Sequence, residues 1–173
     1  MSDSLLDRVN KGILGLKPYE PGKPINETQK ELGIKNIIKL ASNENPLGIS
    51  PKAFKVISEK KDLNRYPDGN ATSFKEVVSQ IEKIKTSMIT VGNGSNDLIE
   101  FVSKCFLSEG DNAIYSQHGF AIYPLAIKST GAKAIKAKAR DWGHDLNLMK
   151  DLVDENTKVC LLYTSPSPRD WLQ

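Results

Sequence analysis

The sequence predicts an α/β fold with a mostly parallel sheet and flanking helices. The first observation is that short apolar runs alternate with amphipathic stretches of helical period along the second half of the chain. Strands separated by helices form parallel sheets, because a parallel connection needs a crossover that a helix supplies. The second observation is the turn Gly-Asn-Gly-Ser-Asn-Asp at residues 92–97, between a predicted strand and a predicted helix.

The first part of the chain predicts little regular structure. Residues 17–24 contain prolines at positions 18, 21 and 24, which exclude a helix interior or a central strand. We therefore expect an extended arm over residues 1–36, with a short helix near residues 26–32, that packs on another surface such as a partner subunit. A strand is expected at Ile37–Leu40. A helix is expected at Pro51–Lys60, since proline suits the first helical turn.

The alternation of helices and strands begins at residue 73. Ser73 and Glu76 have the spacing of a capping box, which predicts the start of a helix. A helix expected at Ser95–Phe106 should bury its apolar positions, which are Leu98, Ile99, Val102, Cys105 and Phe106. The other predicted elements are strands Met88–Val91, Ala113–Ser116, Ala134–Ala137 and Val159–Leu162, and helices Ile122–Ser129 and Leu146–Val153.

The composition excludes several classes of protein. The 173 residues are 39% hydrophobic and 26% charged, as in an ordinary globular domain, and the net charge is +3. The densest basic run, Lys133–Arg140, has no interleaved aromatic residues, so no nucleic-acid partner is expected. No apolar run could cross a membrane and no signal peptide is recognisable. Cys105 and Cys160 have no ligand partners at metal-site spacing and are expected to be buried thiols, which indicates a cytoplasmic protein without a metal site.

The glycine-rich turn at residues 92–97 predicts a phosphate site. Free N–H groups at a helix N-terminus attract anions, and glycine lets the backbone approach them closely. The turn lacks the lysine of a nucleotide-binding P-loop and the spacing of a dinucleotide fingerprint. The alternative is an ordinary strand-to-helix turn in which glycine only provides tightness.

Five segments together resemble one family. In order and spacing they are similar to the N-terminal part of the histidinol-phosphate aminotransferases, which are fold-type I enzymes dependent on pyridoxal 5'-phosphate. These segments are residues 15–24 (GLKPYEPGKP), 40–48 (LASNENPLG), 65–69 (RYPDG), 91–97 (VGNGSND) and 119–124 (GFAIYP). The resemblance covers residues 10–162. It implies a truncated fold-type I large domain over residues 37–162, preceded by the arm of residues 1–36.

The resemblance also implies roles in cofactor binding. Gly94, Ser95 and Asn96 match the family's cup for the cofactor phosphate. Phe120 matches the aromatic residue that stacks on the pyridine ring, although a core aromatic is the alternative. Tyr66 matches the tyrosine that reaches the other subunit's cofactor in a homodimer, although it could be only a turn residue before proline.

Tyr19 and the loop Asn43-Glu44-Asn45 match the family's substrate side. The alternative is that Asn43 and Asn45 only form turns, which asparagine favours, and that Glu44 is a solvated carboxylate. His118 falls on a position with no known role in the family, and Trp142 and His144 lie in a polar loop. No chemistry is assigned to these three residues.

The family resemblance implies a transaminase of histidine biosynthesis. Its small-molecule substrates would be histidinol phosphate and 2-oxoglutarate, and its products imidazole acetol phosphate and glutamate. Alternatives within the same fold are an aromatic aminotransferase and a threonine-phosphate decarboxylase. A non-catalytic α/β module that binds another phosphate is the alternative from a different class.

The resemblance stops at residue 162. The family's Asn-Pro-x-x-Pro segment, ring aspartate, Schiff-base lysine and substrate arginines would all follow that point. Residues 163–173 read Tyr-Thr-Ser-Pro-Ser-Pro-Arg-Asp-Trp-Leu-Gln, which is unlike a sheet strand and is interpreted as a foreign tail. The chain is therefore expected to be an inactive fragment, with no catalytic lysine of its own and an apolar face left open.

Overall fold

The computed structural model describes residues 9–19, 22–40, 44–60 and 64–162. The chain forms two compact units, and each is described by itself. One unit combines residues 1–19 with 90–173, and the other contains residues 20–89. The interpretation of residues 163–173 as a tail lies outside the described residues, and the predicted domain boundaries remain predictions.

The first unit contains a three-stranded parallel sheet. Its strands are β1 (Asn112–Ser116), β2 (Lys133–Ala137) and β3 (Thr157–Leu161), in the spatial order β2-β1-β3. Ile114 of the central strand lies opposite Ile135 on one side and Cys160 on the other. The predicted parallel sheet is therefore confirmed, and each of these strands overlaps a predicted one.

Three helices flank this sheet. They are α4 (Ser95–Phe106), α5 (Ile122–Ser129) and α6 (Leu146–Asp151), and the first two have the predicted bounds. One core cluster consists of Leu107, Ala113, Ile127 and Ala132, and a second of Ile114, Ala137 and Met149. The central strand contributes to both clusters, because its successive side chains point to opposite faces of the sheet.

The prediction of which α4 side chains are buried is wrong. The buried residue of α4 is Ser103, whereas Phe101, Val102 and Phe106 are exposed and Leu98 and Ile99 are half-buried. The helix α4 packs against α5 and β3, and Ser103 is its one buried residue. The prediction that Cys105 and Cys160 are buried is also wrong: both are exposed, and Cys160 lies on an edge strand of the sheet.

Ser103→Ala is expected to stabilise the protein by about 1 kcal/mol. The Ser103 hydroxyl is fully buried and has no hydrogen-bond partner among the described residues, so its desolvation is uncompensated. Alanine also has the higher helix propensity. Chemical denaturation would measure the change. Ser129→Ala is the matched control, because the Ser129 hydroxyl donates to the Ala126 carbonyl and its removal should give no gain. A destabilised Ser103→Ala variant would contradict the expectation.

The second unit contains the helices α1 (Ile25–Leu32), α2 (Pro51–Glu59) and α3 (Thr72–Glu82), and a 3-10 helix at Thr86–Met88. None of the helical residues of this unit is buried. The predicted strands at 37–40 and 88–91 are wrong, because these segments form no strand. A strand needs a neighbour for its backbone hydrogen bonds, and no described segment pairs with either of them.

Asp68, not the predicted capping box, caps α3. Its carboxylate accepts hydrogen bonds from the backbone N–H groups of Asn70 (2.9 Å) and Thr72 (2.8 Å). Neither Ser73 nor Glu76 makes a capping bond, and the helix begins one residue earlier than predicted. The hydrogen bonds to Thr72 and Asn70 lower the pKa of Asp68 from 3.8 to about 2.

Lowering the pH is expected to weaken the start of α3. A carboxyl group whose pKa is depressed in the folded state stabilises that state above its unfolded pKa. The contribution of Asp68 should therefore be complete above about pH 4 and lost as the pH falls through about 2. NMR titration of the Asp68 carboxyl carbon would measure this, and a midpoint near 3.8 would contradict it. Asp68→Asn should show no such titration at this position.

No helix in the described ranges is both long enough and apolar enough to span a membrane.

Candidate functional site

The glycine-rich turn leads directly into α4. Gly94 has φ 83° and ψ 179°, a conformation that is essentially restricted to glycine. Asn93 donates from its backbone N–H (2.8 Å) and its side-chain amide (3.2 Å) to the Asp97 carboxylate. Gly92 is needed because a Cβ there would lie 2.8 Å from the Asp97 Cβ. The turn is thus shaped by two glycines and closed by Asp97.

The turn leaves donors available at the helix N-terminus. No described side chain or carbonyl accepts from the backbone N–H groups of Ser95 and Asn96, and Gly94 provides no side-chain cap. The Ser95 and Asn96 side chains are exposed and make no hydrogen bond to other described residues. The Asp97 carboxylate is held back on Asn93. These backbone and side-chain donors, with the positive end of the helix dipole, fit an anion such as a phosphate.

Phe120 and the glycine-rich turn lie toward the same edge of the sheet. Phe120 follows the carboxyl end of β1. The helix α4 leads back to β1, so it runs antiparallel to that strand and its N-terminus points to the edge where β1 ends. Ligands of open α/β sheets bind outside the carboxyl ends of the strands. By this chain order Gly94, Ser95, Asn96 and Phe120 lie toward the carboxyl edge of the sheet, which is the edge where open α/β sheets bind ligands.

The ring of Phe120 is anchored on one side and open on the other. It packs edge-to-face on Tyr123, with ring centroids 6.0 Å apart and an interplanar angle of 87°. Tyr123 is buried, whereas Phe120 is 38% exposed. An aromatic ring fixed by a buried neighbour and still accessible suits stacking on a flat ligand.

Part of the N-terminal arm docks on the end of α5 in its own unit. Asn10 donates from its side-chain amide to the Ser129 carbonyl (3.4 Å) and accepts from the Gly12 N–H (2.8 Å). A Cβ on Gly12 would lie 2.0 Å from the Lys128 carbonyl oxygen, so the two backbones are in direct contact. The arm thus has an intramolecular surface, a contact that the sequence did not predict. Tyr19, further along the arm, is half-exposed.

The remaining predicted site residues lie in the second unit. Glu44 pairs with Lys39 (2.6 Å). The Asn45 side chain accepts from Leu47 N–H (3.0 Å) and donates to the Gly48 carbonyl (2.9 Å), so it forms the turn that was the alternative to substrate binding. Tyr66 is fully exposed. Asn43 lies outside the described residues.

The first unit contains several contacts that the sequence did not predict. The Asn93–Asp97 link could have been expected, because asparagine and aspartate commonly bond to nearby backbone groups. The stack of His118 on Trp142, with ring centroids 5.1 Å apart, had no signal in the sequence because the two residues lie on different loops. Burial of the His144 Nδ1 atom, which has no partner among the described residues, was equally unpredictable.

The chain is similar in sequence to curated histidinol-phosphate aminotransferases. Histidinol-phosphate aminotransferase 2 of Pseudomonas fluorescens is 44% identical over 171 residues, which are 97% of this chain and 46% of the relative. Histidinol-phosphate aminotransferase 1 of Mannheimia succiniciproducens is 45% identical over 166 residues, or 95% and 45%. The chain thus spans about half the length of the curated relatives it matches. No family model matches the chain.

Solved structures show the same fold. The histidinol-phosphate aminotransferase of Sinorhizobium meliloti, solved in complex with pyridoxal-5'-phosphate, superposes with a TM-score of 0.74 at 18% identity. The match covers 86% of this chain and 40% of that one. The tyrosine aminotransferase of Leishmania infantum matches with a TM-score of 0.54 at 20% identity, covering 64% and 31%. The described α/β unit therefore has the fold of aminotransferases, and by sequence the chain is a relative of the histidinol-phosphate aminotransferases that matches about half of their length.

Proposed function

We propose that this chain supplies the cofactor-phosphate site of a pyridoxal-phosphate-dependent aminotransferase. The full-length enzyme would convert histidinol phosphate and 2-oxoglutarate to imidazole acetol phosphate and glutamate in histidine biosynthesis. The observation that carries the proposal is the Gly94 turn. It exposes, at the start of α4, donors that pair with no described residue, in a chain 44% identical over 171 residues to a histidinol-phosphate aminotransferase.

The residues of the first unit fit the cofactor. The backbone N–H groups after Gly94, with the Ser95 hydroxyl and the Asn96 amide, would hold its phosphate dianion. The open face of Phe120 would lie against its pyridine ring and fix the ring's tilt. When bound, pyridoxal phosphate supplies an electron sink for charge that develops at the substrate Cα. The contribution of these side chains is to orient that ring relative to the substrate.

The family resemblance implies further contacts, in a full-length homodimer, for residues of the second unit and of the arm. Tyr66 is fully exposed, as a side chain that reaches a partner subunit's cofactor would be in a single chain. Tyr19 with Asn43, Glu44 and Asn45 would close over the amino substrate. The homodimer, these substrate contacts and a cytoplasmic location are proposals that rest on the family resemblance.

The 173-residue chain is expected to bind pyridoxal phosphate weakly and to produce no glutamate. The family resemblance implies that the anchoring lysine would follow residue 162, so phosphate contacts alone would retain the cofactor. Equilibrium dialysis should show binding of pyridoxal phosphate and about tenfold or more weaker binding of pyridoxal, which lacks the charge-assisted hydrogen bonds to phosphate. Equal binding of the two ligands would argue against the phosphate site.

The activity arm of the experiment uses histidinol phosphate and 2-oxoglutarate, with a full-length histidinol-phosphate aminotransferase as positive control. Glutamate formation by the 173-residue chain would overturn the proposed lack of activity. Resequencing the source DNA beyond the codon for Leu162 would show whether the reading frame continues into the rest of an aminotransferase gene. Comparing histidinol phosphate with phenylalanine as donors for its full-length product would then distinguish the proposed substrate from that of an aromatic aminotransferase.

A further inference from the structure

Two loops leave the ligand-binding edge of the sheet side by side. Because β1 and β2 are adjacent and parallel, their last residues, Ser116 and Ala137, are paired. The turn at residues 117–121 follows β1 and precedes α5. The hairpin at residues 138–145 follows β2 and precedes α6. Within these two loops, the sequence predicts a role for Phe120 alone.

Three contacts tie these loops together. The Gln117 backbone N–H donates to the Ala137 carbonyl (2.8 Å), and the Gln117 side-chain oxygen accepts from the Ala139 N–H (3.0 Å). Beyond them, the rings of His118 and Trp142 stack with centroids 5.1 Å apart and an interplanar angle of 26°. Backbone, side-chain and ring contacts therefore follow one another outward from the sheet.

The hairpin holds Trp142 in an unusual conformation. Arg140 and Gly143 exchange backbone hydrogen bonds of 3.1 and 2.8 Å, and the two residues between them have positive φ values, 50° for Asp141 and 65° for Trp142. Such two-residue turns favour glycine and asparagine, and a bulky residue there is a rarity. The Trp142 side chain is also 88% exposed. Among the described residues, its ring contacts the ring of His118. A strained and exposed tryptophan suggests a functional constraint.

The turn between His118 and Phe120 is closely packed. Gly119 lies between them, and its N–H donates to the Ser116 carbonyl (2.9 Å). A Cβ on Gly119 would lie 3.0 Å from that carbonyl oxygen and 3.1 Å from the Tyr123 ring, so there is little room for a side chain at this position. The Tyr123 N–H in turn donates to the Phe120 carbonyl (3.0 Å). His118 and Phe120 are therefore joined through a single residue in a closely packed turn.

We propose that His118 and Trp142 are positioning residues whose stacked rings hold the turn after β1, and with it the Phe120 ring, at the ligand-binding edge. The clamp of the two loops stands on the contacts described above. Its purpose, alignment of Phe120 with the cofactor ring, rests on the proposed function. Tryptophan at position 142 supplies an aromatic ring for this stack, which an aliphatic residue could not.

Hydrogen exchange of the 173-residue chain tests the clamp without any ligand. Trp142→Ala should accelerate exchange of the Gly119 and Tyr123 amides by about threefold to tenfold, the factor that an aromatic pair commonly supports. Trp142→Phe should restore most of the protection, because its ring can still stack. Phe106→Ala is the matched control, since Phe106 is an exposed aromatic residue of the same unit on α4 and should leave both amides unchanged. Unchanged exchange in Trp142→Ala would overturn the clamp.

Dialysis with pyridoxal phosphate tests the purpose separately. Trp142→Ala should weaken binding by about threefold to tenfold, and Trp142→Phe should restore it. If Trp142→Ala exchanges faster but binds as well as the wild-type chain, the positioning role is overturned. If the wild-type chain does not bind pyridoxal phosphate at all, the proposed function and the alignment role fail together, while the exchange data decide the clamp by itself.

Discussion

Gly12→Ala is expected to release the N-terminal arm from the end of α5. The added Cβ would lie 2.0 Å from the Lys128 carbonyl oxygen and 2.8 Å from the Gly131 backbone nitrogen. Both neighbours are backbone atoms at the end of a helix and cannot rotate aside as a side chain can. The overlap can be relieved only by moving the arm away, which also breaks the contacts of Asn10. We expect a loss of about 1–3 kcal/mol, as for an overpacked site.

Limited proteolysis gives the local readout for Gly12→Ala. Trypsin cleaves after Lys11, within the docked segment, and the docked state should protect this bond. Cleavage in the variant should be faster by about tenfold or more, as expected for a local loss of about 1.4 kcal/mol. Lys17→Ala changes an exposed arm residue and should leave cleavage after Lys11 unchanged. Equal cleavage of wild type and Gly12→Ala would show that the arm does not depend on this contact.

Gly94→Ala is expected to abolish most binding of pyridoxal phosphate. A Cβ on Gly94 would meet no atom within 4 Å, so the effect comes from the backbone alone. With φ 83° and ψ 179°, an alanine would be strained by about 1–3 kcal/mol and would relax to another conformation. That relaxation would redirect the N–H groups of Ser95 and Asn96 away from the phosphate. Dialysis should show binding weakened by about tenfold or more.

The matched control for Gly94→Ala is Gly69→Ala. Gly69 also has open space around its Cβ position, but its φ is not in the left-handed region. Gly69→Ala should therefore be tolerated, and it should not change binding of pyridoxal phosphate by the first unit. If Gly94→Ala binds pyridoxal phosphate as well as wild type, the phosphate does not lie at this turn, and the proposed function loses the observation that carries it.

Elements with a strong local pattern could be predicted from the sequence. The helices at 95–106 and 122–129 have the predicted bounds, because helical hydrogen bonds connect residues only four positions apart. The predicted strands at 37–40 and 88–91 do not form, because a strand is stabilised by a neighbour that its own residues do not specify. The predicted cap of α3 is wrong for a different reason. Asp68 satisfies the helix N-terminus before the capping box of Ser73 and Glu76 can do so.

The candidate site divides in the same way. The backbone geometry of the turn at residues 92–97 could be predicted from the sequence, because a positive φ and helix-start N–H groups are local properties of a glycine turn that leads into a helix. The sequence also predicted the resemblance to the histidinol-phosphate aminotransferases, through motifs in a fixed order, and similarity to curated relatives over about half of their length confirmed that resemblance.

Only the tertiary structure decided which side chains act together. It placed Gly12 against the end of α5, Trp142 on His118, and Ser103 rather than the apolar stripe of α4 in the interior. His118 and Trp142 are 24 positions apart in the sequence, and Gly12 and Lys128, at the end of α5, are 116 positions apart. Contacts at such separations depend on how the packed elements approach one another, and no local hydrophobic period or turn chemistry specifies that approach.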